Sequence, residues 1–303
     1  TLYSLNNKKK SLTIEDLGFF IGPIINSGGR LGKSFLATEL LTSDGSKFVE
    51  HKSKLLIELN NKRKIIEKNI LKEINFKKIE VENKNVIIYY NPNINEGLIG
   101  IIAARLKDYF NKPSIVITNS NNILKASARS VTDYNMGKVV KKLIDHKIII
   151  SGGGHNMAAG FTLKKNNLNS LKDFILKDYL KNTNHLISIN NYDSEILSTA
   201  INDIFLDEIK TLGPFGNDNP LPIFFIKDLK IIKRTIMGDK HISLIFKSKN
   251  GKTIKSICFN CLDTKLGHYL LSVKKNINVI CQIYENIWNN KKTIQLNIKD
   301  ISA

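Results

Sequence analysis

Along the chain, apolar and polar positions fall into three regimes. The first, residues 1–78, has a helical period. TIEDLGFFIGPI and KSFLATELL are helical patterns separated by NSGGRLG, which predicts a glycine-rich turn. From residue 46 to 78, Phe48, Leu55, Leu56, Leu59, Ile65, Ile66, Ile70, Leu71 and Ile74 recur at helical spacing with no Gly or Pro among them. That predicts one long connecting helix, basic on its outer face. In the second regime, 79–165, strand-like and helix-like runs alternate. NVIIYY, PSIVIT and ILKASARSV read as strands, EGLIGIIAARLKDYF and MGKVVKKLID as helices, and HKIIISGGGHNMAAGFTL as strand, glycine turn and a further element. LNSLKDFILKDYLKN, 168–182, closes this part as a helix. The alternation indicates an α/β domain. The third regime opens with a helix over 195–212 and the turn-rich LGPFGNDNPLPIFF. Short β runs follow at a spacing of about ten residues, the pattern of a small barrel of OB type.

Composition excludes several classes. With 42% hydrophobic and 24% charged residues the chain is globular rather than disordered. No apolar run approaches the ~20 residues of a spanning helix, so no membrane role is expected. The opening TLYSLNNKKK is unlike a secretory leader. Three cysteines, Cys258, Cys261 and Cys281, cannot build a disulfide scaffold, which favours a reducing, cytoplasmic setting. The first residue is Thr1, so the chain reads as a piece of something longer.

The formal charge of +19 points to nucleic acid or another anionic surface. Codon bias competes as an explanation, since Lys, Asn and Ile are all abundant and all have A/T-rich codons. Arginine is scarce, at positions 30, 63, 105, 129 and 234, and is therefore the more informative cation. Arg30 and Arg129 lie in glycine- or serine-rich stretches.

Three motifs could carry chemistry. In SGGGHNMAAG, Gly152, Gly153 and Gly154 could form an anion-binding nest with His155 beside it, the alternative being a tight turn with a packed histidine. In KASARSV, Ser127 and Arg129 are two apart, so on a strand they share a face and could clamp a terminal phosphate; the alternative is an exposed edge strand. In GPIINSGGRLG, Asn26 and Arg30 flank a turn that opens a helix, an arrangement suited to an anion or to plain helix packing. No clustered Asp/His set for a two-metal centre occurs, and Cys258-Phe-Asn-Cys261 lacks partners for a zinc site. In the third regime, aromatic residues lie among lysines. Trp288, beside Asn289, Asn290 and Lys291, is the best candidate for an exposed stacking platform.

GPIINSGGRLG, LNNKRKIIEKNIL, NEGLIGIIAARL, KASARSV, SGGGHNMAAG, LGPFGNDNPLPIF and TIQLNIKDI occur in this order. Together they resemble the bacterial RecJ exonucleases of the DHH phosphoesterase superfamily. The resemblance implies an α/β fold: residues 1–45 as the end of a DHH domain, 46–78 as a connector helix, 79–190 as a DHH-associated substrate-binding domain, and 191–303 as a helix plus an OB-like nucleic-acid-binding domain. It implies 5′→3′ degradation of single-stranded DNA in recombination and repair, with Mn²⁺ or Mg²⁺ held by a DHH domain that is almost wholly absent here, so that this chain alone would be inactive. Single-stranded DNA is the implied partner, with a helicase or a single-strand-binding protein as further candidates. Carried over by motif, Ser127 and Arg129 would hold the 5′ phosphate, Asn26 and Arg30 would line the DNA path, and Gly152, Gly153, Gly154 and His155 would face the metals. A non-catalytic single-strand-binding module and a DHH-type oligonucleotide phosphoesterase are the alternatives. Ile24 and Asn95 depart from the family pattern, which usually has arginine and histidine there.

Overall fold

The computed structural model describes residues 1–5, 14–182, 191–216, 218–288 and 291–302. It divides into two compact units, Thr1–Ile187 and Ser188–Ala303.

In the first unit, helical turns from Ile14 to Ile21 run directly into α1 (Gly22–Arg30), followed by α2 (Phe35–Thr42) and α3 (Ser46–Glu73). Two expectations need correction here. The turn is shorter than NSGGRLG suggests: within the motif only Leu31 and Gly32, the latter at positive φ, turn the chain toward α2, and Ser27, Gly28 and Gly29 lie inside α1. Their size permits close helix packing, because the Ser27 hydroxyl donates to the Leu56 carbonyl at 3.0 Å and a Cβ on Gly28 would lie 2.7 Å from the Lys33 carbonyl oxygen. The long helix also stops at Glu73 rather than continuing to 78. Asn75 begins a separate short helix, α4 (Phe76–Glu82), its side chain accepting from the Lys78 N–H at 3.0 Å.

The α/β part follows as β1 (Ile87–Tyr90), α5 (Ile99–Phe110), β2 (Ser114–Ser120), β3 (Ile123–Arg129), α6 (Met136–Asp145), β4 (Ser151–His155), β5 (Ala158–Leu163) and α7 (Leu168–Asn182). The sheet order is β1-β2-β3-β5-β4, with β1–β2 parallel and the other pairs antiparallel. Helices α6 and α7 bury one face through Met136, Val139, Val140, Leu143, Leu171 and Ile175. Helix α5 covers the other face over β2 and part of β3 through Leu98, Ile102 and Leu106. Beyond α5, the β5–β4 end of that second face and the β3 side chains beside it are left open. The glycine run is itself the edge strand β4, not a nest between strands, and Ile148–Ile150 are bends. Extended pairing with β5 spreads the three glycine N–H groups along a ladder instead of converging them on one point.

In the second unit, α8 (Asp203–Thr211) is shorter than the expected 195–212, because Asn202 caps it by accepting from Phe205 N–H at 2.9 Å and a two-residue strand, β6 (Ser194–Glu195), precedes it. The barrel consists of β7 (Ile223–Met237), β8 (His241–Lys247), β9 (Thr253–Cys258), β10 (Ile277–Trp288) and β11 (Lys291–Ser302). Pairing of β10 with β7 closes it, and β11 joins β9 in parallel. A helix that the β-run reading missed, α9 (Lys265–Ser272), lies between β9 and β10. Arg234 from β7 donates to the Leu270 carbonyl at 2.8 Å and to the Val273 carbonyl, capping the C-terminal end of α9. The three cysteines are free and buried in the barrel core, and burial pushes the Cys281 thiol up to about 12.

Under the sheet, buried Asp178 on α7 accepts from the Tyr134 hydroxyl at 3.2 Å, from Lys142 Nζ of α6 at 2.6 Å and from Asn182 Nδ2 at 3.0 Å. Replacing it leaves a buried hydroxyl unpaired and removes the link between the two helices. Asp178→Ala should therefore lower stability by about 2 kcal/mol, read from the urea midpoint by circular dichroism. An unchanged midpoint would show that this network contributes nothing.

Candidate functional site

The open part of the sheet is the floor of a cleft of about 920 Å³ in the first unit. Strand β3 alternates strictly: Leu124, Ala126 and Ala128 are buried, while Lys125, Ser127 and Arg129 face the cleft. Register fixes what stands beside them, since directly paired residues share a face. Lys125 lies next to Thr162 and then Ser151, Ser127 next to Gly160 and then Gly153, and Arg129 next to Ala158 and then His155. The floor in front of Ser127 therefore consists of glycine backbone, and a Cβ on Gly153 would meet nothing within 4 Å. Gly152 and Gly154 are glycines for the opposite reason. Their hydrogens point at the packed face, where a Cβ would lie 2.6 Å from the Phe161 side chain and 2.4 Å from that of Ala159.

One wall is the start of α5. Asn95 accepts from the Gly97 N–H at 2.8 Å, turning the chain into the helix. Gly97 presses against the end of α1, where a Cβ would stand 2.2 Å from the Arg30 carbonyl oxygen. Gly100, in the first turn of α5, lies over β3, its notional Cβ 3.1 Å from Ser127 Oγ and 3.4 Å from Arg129 Nη2. The second wall comes from α1 and α3, with Arg30, Arg63 and Lys64.

Four of the five arginines, 30, 63, 105 and 129, thus line one cleft, joined by Lys64, Lys125 and the carboxylate Glu96. Glu96 is held by Lys125 Nζ at 2.7 Å and the Ser120 hydroxyl at 2.8 Å, and these bonds keep its carboxyl below the usual range. Arg30 is half-buried. Desolvation first, then the charge of Arg63, pushes its guanidinium below the ordinary value; Glu67 opposes this and Arg129 adds to it. Arg129 Nη1 donates to the Ala128 carbonyl at 2.9 Å. Such a cleft suits a phosphate dianion or a short run of phosphates.

Arg30, Ser127, Arg129 and Gly152 line this cleft together. Arg30 ends a helix instead of opening one, so the dipole at that end is negative and the site's positive field comes from guanidinium groups. Asn26 is exposed one turn earlier on α1 and does not line the cleft. Gly153 and His155 lie on the same open face, His155 two strands across from Arg129, at about 10 Å. Gly154 packs under α6, where its carbonyl oxygen would be 2.9 Å from a Cβ on Gly137. Trp288 ends β10 opposite Lys291, and its side chain lies outside the described residues. Phe224 and Phe246 fill the barrel core, whereas Phe259 is exposed beside His241. Sequence reasoning missed Arg63, Arg105, Gly97 and Gly100. The scarcity of arginine was a signal that covered the first two. Among the described residues no three His, Cys, Asp or Glu side chains group as metal ligands, and no helix is long and apolar enough to cross a membrane.

Residues 83–182 match the DHHA1 domain family and residues 192–300 the RecJ OB domain family. The single-stranded-DNA-specific exonuclease RecJ of Haemophilus influenzae is 28% identical over 305 residues, which cover 96% of this chain and 52% of that protein. RecJ of Bacillus subtilis is also 28% identical, over 95% of this chain and 37% of its own length. The chain thus spans about half or less of these relatives. The crystal structure of RecJ from Thermus thermophilus with Mg²⁺ superposes with a TM-score of 0.77 at 19% identity, covering 100% of this chain and 45% of that one, a likeness of fold.

Gly100→Ala tests the wall of the cleft. The gain in helix propensity, about 1 kcal/mol, offsets the crowding, so the melting temperature should move by no more than about 3 °C. Displacement of Ser127 and Arg129 should weaken pyrophosphate binding by about fivefold, measured by calorimetry. Unchanged affinity would place the anion elsewhere.

Proposed function

We propose that this chain, which carries the DHHA1 and RecJ OB domains and corresponds to the C-terminal portion of RecJ, supplies the end-reading and strand-holding parts of a 5′→3′ exonuclease acting on single-stranded DNA. The observation that carries this reading is the convergence of four scarce arginines and Ser127 over a floor of bare glycine backbone. A terminal phosphate has two charges and three acceptor oxygens, which need several fixed donors and a surface that lets them approach. Ser127 and Arg129 hold that phosphate, and Arg30 and Asn26 lie along the path of the strand. Gly152, Gly153 and Gly154 shape the floor, and His155, on the same face, is the group presented to the reacting phosphodiester.

The relatives' solved forms include complexes with Mg²⁺ and with Mn²⁺. Among the described residues no three His, Cys, Asp or Glu side chains group to fit such a centre, and in this reading the metal ligands belong to a DHH domain. The barrel holds the strand by a sequence-tolerant surface. Pairing sets Lys233, Ile245 and Lys255 in one row and Thr235 and Ser243 in the next, and Trp288, the last residue of β10, is the proposed stacking residue. DNA repair and recombination, and a helicase or single-strand-binding protein as partner, follow from this reading as further proposals.

The test is a fluorescence-anisotropy titration of the chain with 5′-phosphorylated and 5′-hydroxyl single strands and a blunt duplex. Single strands should bind more tightly than duplex, and a 5′ phosphate should add to affinity. Arg129→Ala should weaken binding to the phosphorylated end by about tenfold or more and to the hydroxyl end by much less. Lys255→Ala should weaken both equally and reduce the salt slope by about one. Equal losses at both ends for Arg129→Ala would remove the clamp.

A further inference from the structure

One buried carboxylate stands among the cleft arginines. Glu67 on α3 is 7% exposed. Its Oε2 accepts from Arg63 Nη1 at 2.7 Å and its Oε1 from Arg105 Nε at 2.8 Å, so it joins α3 to α5. Arg63, also 7% exposed, is held from a second side by Asn60, whose Oδ1 accepts from Nε at 3.1 Å. Among the described residues Arg105 commits only Nε, and its terminal nitrogens remain available at the cleft. Arg30 is close enough to feel Arg63, Glu67 and Arg129 together.

From this we infer that Glu67 is a positioning residue: it fixes Arg63 and Arg105 so that their free N–H groups form, with Arg30, a second phosphate subsite beside the Ser127–Arg129 clamp. The inference rests on the end-reading function proposed above. Three guanidinium groups brought together repel one another and, unrestrained, would turn outward into water. A single buried carboxylate that engages two of them by different nitrogens cancels part of the repulsion and sets two orientations at once. A preorganised pair then loses little freedom when phosphate arrives. The subsite would take the phosphodiester next to the terminal phosphate, which is brought into register only when the clamp anchors a 5′ phosphate, so the ligand class is a 5′-phosphorylated strand of at least two nucleotides rather than a free phosphate.

The competing view, that Glu67 is only a charge, predicts the opposite sign. Removing a carboxylate from a basic cleft makes it more positive, which should tighten binding of every strand. In the positioning view, Glu67→Gln keeps the shape but cannot accept from both arginines as strongly, and the preference for a 5′-phosphorylated over a 5′-hydroxyl strand should fall by about tenfold. Glu67→Asp, which keeps the charge one methylene short, should fall between. The titrations use the whole chain and these two probes, with melting curves to confirm folding. If Glu67→Gln does not fold, Arg63→Lys carries the test, since lysine keeps the charge but cannot engage Asn60 and Glu67 as a planar fork does; the same loss is expected. A Glu67→Gln variant that keeps its preference, or binds both strands more tightly by the same factor, overturns the inference while leaving the clamp. A wild-type chain with no preference overturns both.

Discussion

The close approach of Gly97 to the Arg30 carbonyl is the contact on which the cleft depends. No side chain fits there, since a Cβ would lie 2.2 Å from that oxygen. The contact ties the end of α1 to the loop that starts α5. Helix α5 in turn is fixed on the sheet by Leu98, Ile102 and Leu106, all fully buried. One turn further, Gly100 sets the distance from α5 to Ser127 and Arg129. Arg30 and Arg129, almost a hundred residues apart in sequence, are thus placed relative to each other by backbone packing. Long basic side chains have many rotamers, and a site made of them is selective only when their bases are held rigidly.

The same packing explains how so much positive charge is tolerated. Like charges in a concave, partly desolvated space repel more strongly than on an open surface. The cleft limits this in two ways. Arg63 is committed on two nitrogens, to Asn60 and Glu67, and Lys125 is neutralised by Glu96. In front of Ser127, meanwhile, the floor is the backbone of Gly153 and Gly160, and beside it lie the uncharged Ser151 and Thr162. The excess positive charge that remains is matched when an anion enters. In the function proposed above, mutual repulsion of the guanidinium groups is a cost that a phosphate would relieve, which would favour a doubly charged end over the single charges along a strand.

The periodic parts of this architecture were legible in the sequence. MGKVVKKLID and LNSLKDFILKDYLKN become helices with those same ends, because each has a sustained apolar stripe with clear punctuation. The alternation in ILKASAR placed Ser127 and Arg129 on one face of a strand. Legibility failed where glycine was read as punctuation. In NSGGRLG only Gly32 is a turn glycine, while Gly28 and Gly29 lie inside a helix, where Gly28 passes close to Lys33 and to Leu56 of α3, and in SGGGH the glycines form a strand for the packing of α6 against it. Glycine reports that a side chain is unwelcome but not why, and the reason lies in residues distant in sequence. The same limit hid Arg63 and Arg105. On a helix rich in lysine, Arg63 looks like one more solvated charge, and only the fold brings Glu67 and α5 to it.

In a chain so rich in lysine, the choice of arginine at five positions itself has structural content. Several lysines pair singly at the surface, as Lys54 does with Glu50 and Lys249 with Asp228, in geometries a flexible ammonium satisfies and water competes for. The arginines occupy places that a point charge would not fill. Arg234 reaches two carbonyls at the end of α9 with two different nitrogens. Arg63 spans Asn60 and Glu67, and Arg105 meets the other oxygen of the same carboxylate. Arg63 and Arg234 use the fixed fork of the guanidinium, in which separate N–H groups serve separate partners at a set angle. Compositional bias can raise or lower the number of lysines without altering such sites. The total charge therefore carries little information about binding in this chain, whereas the placement of five residues locates both a cleft and the cap of a helix inside the barrel.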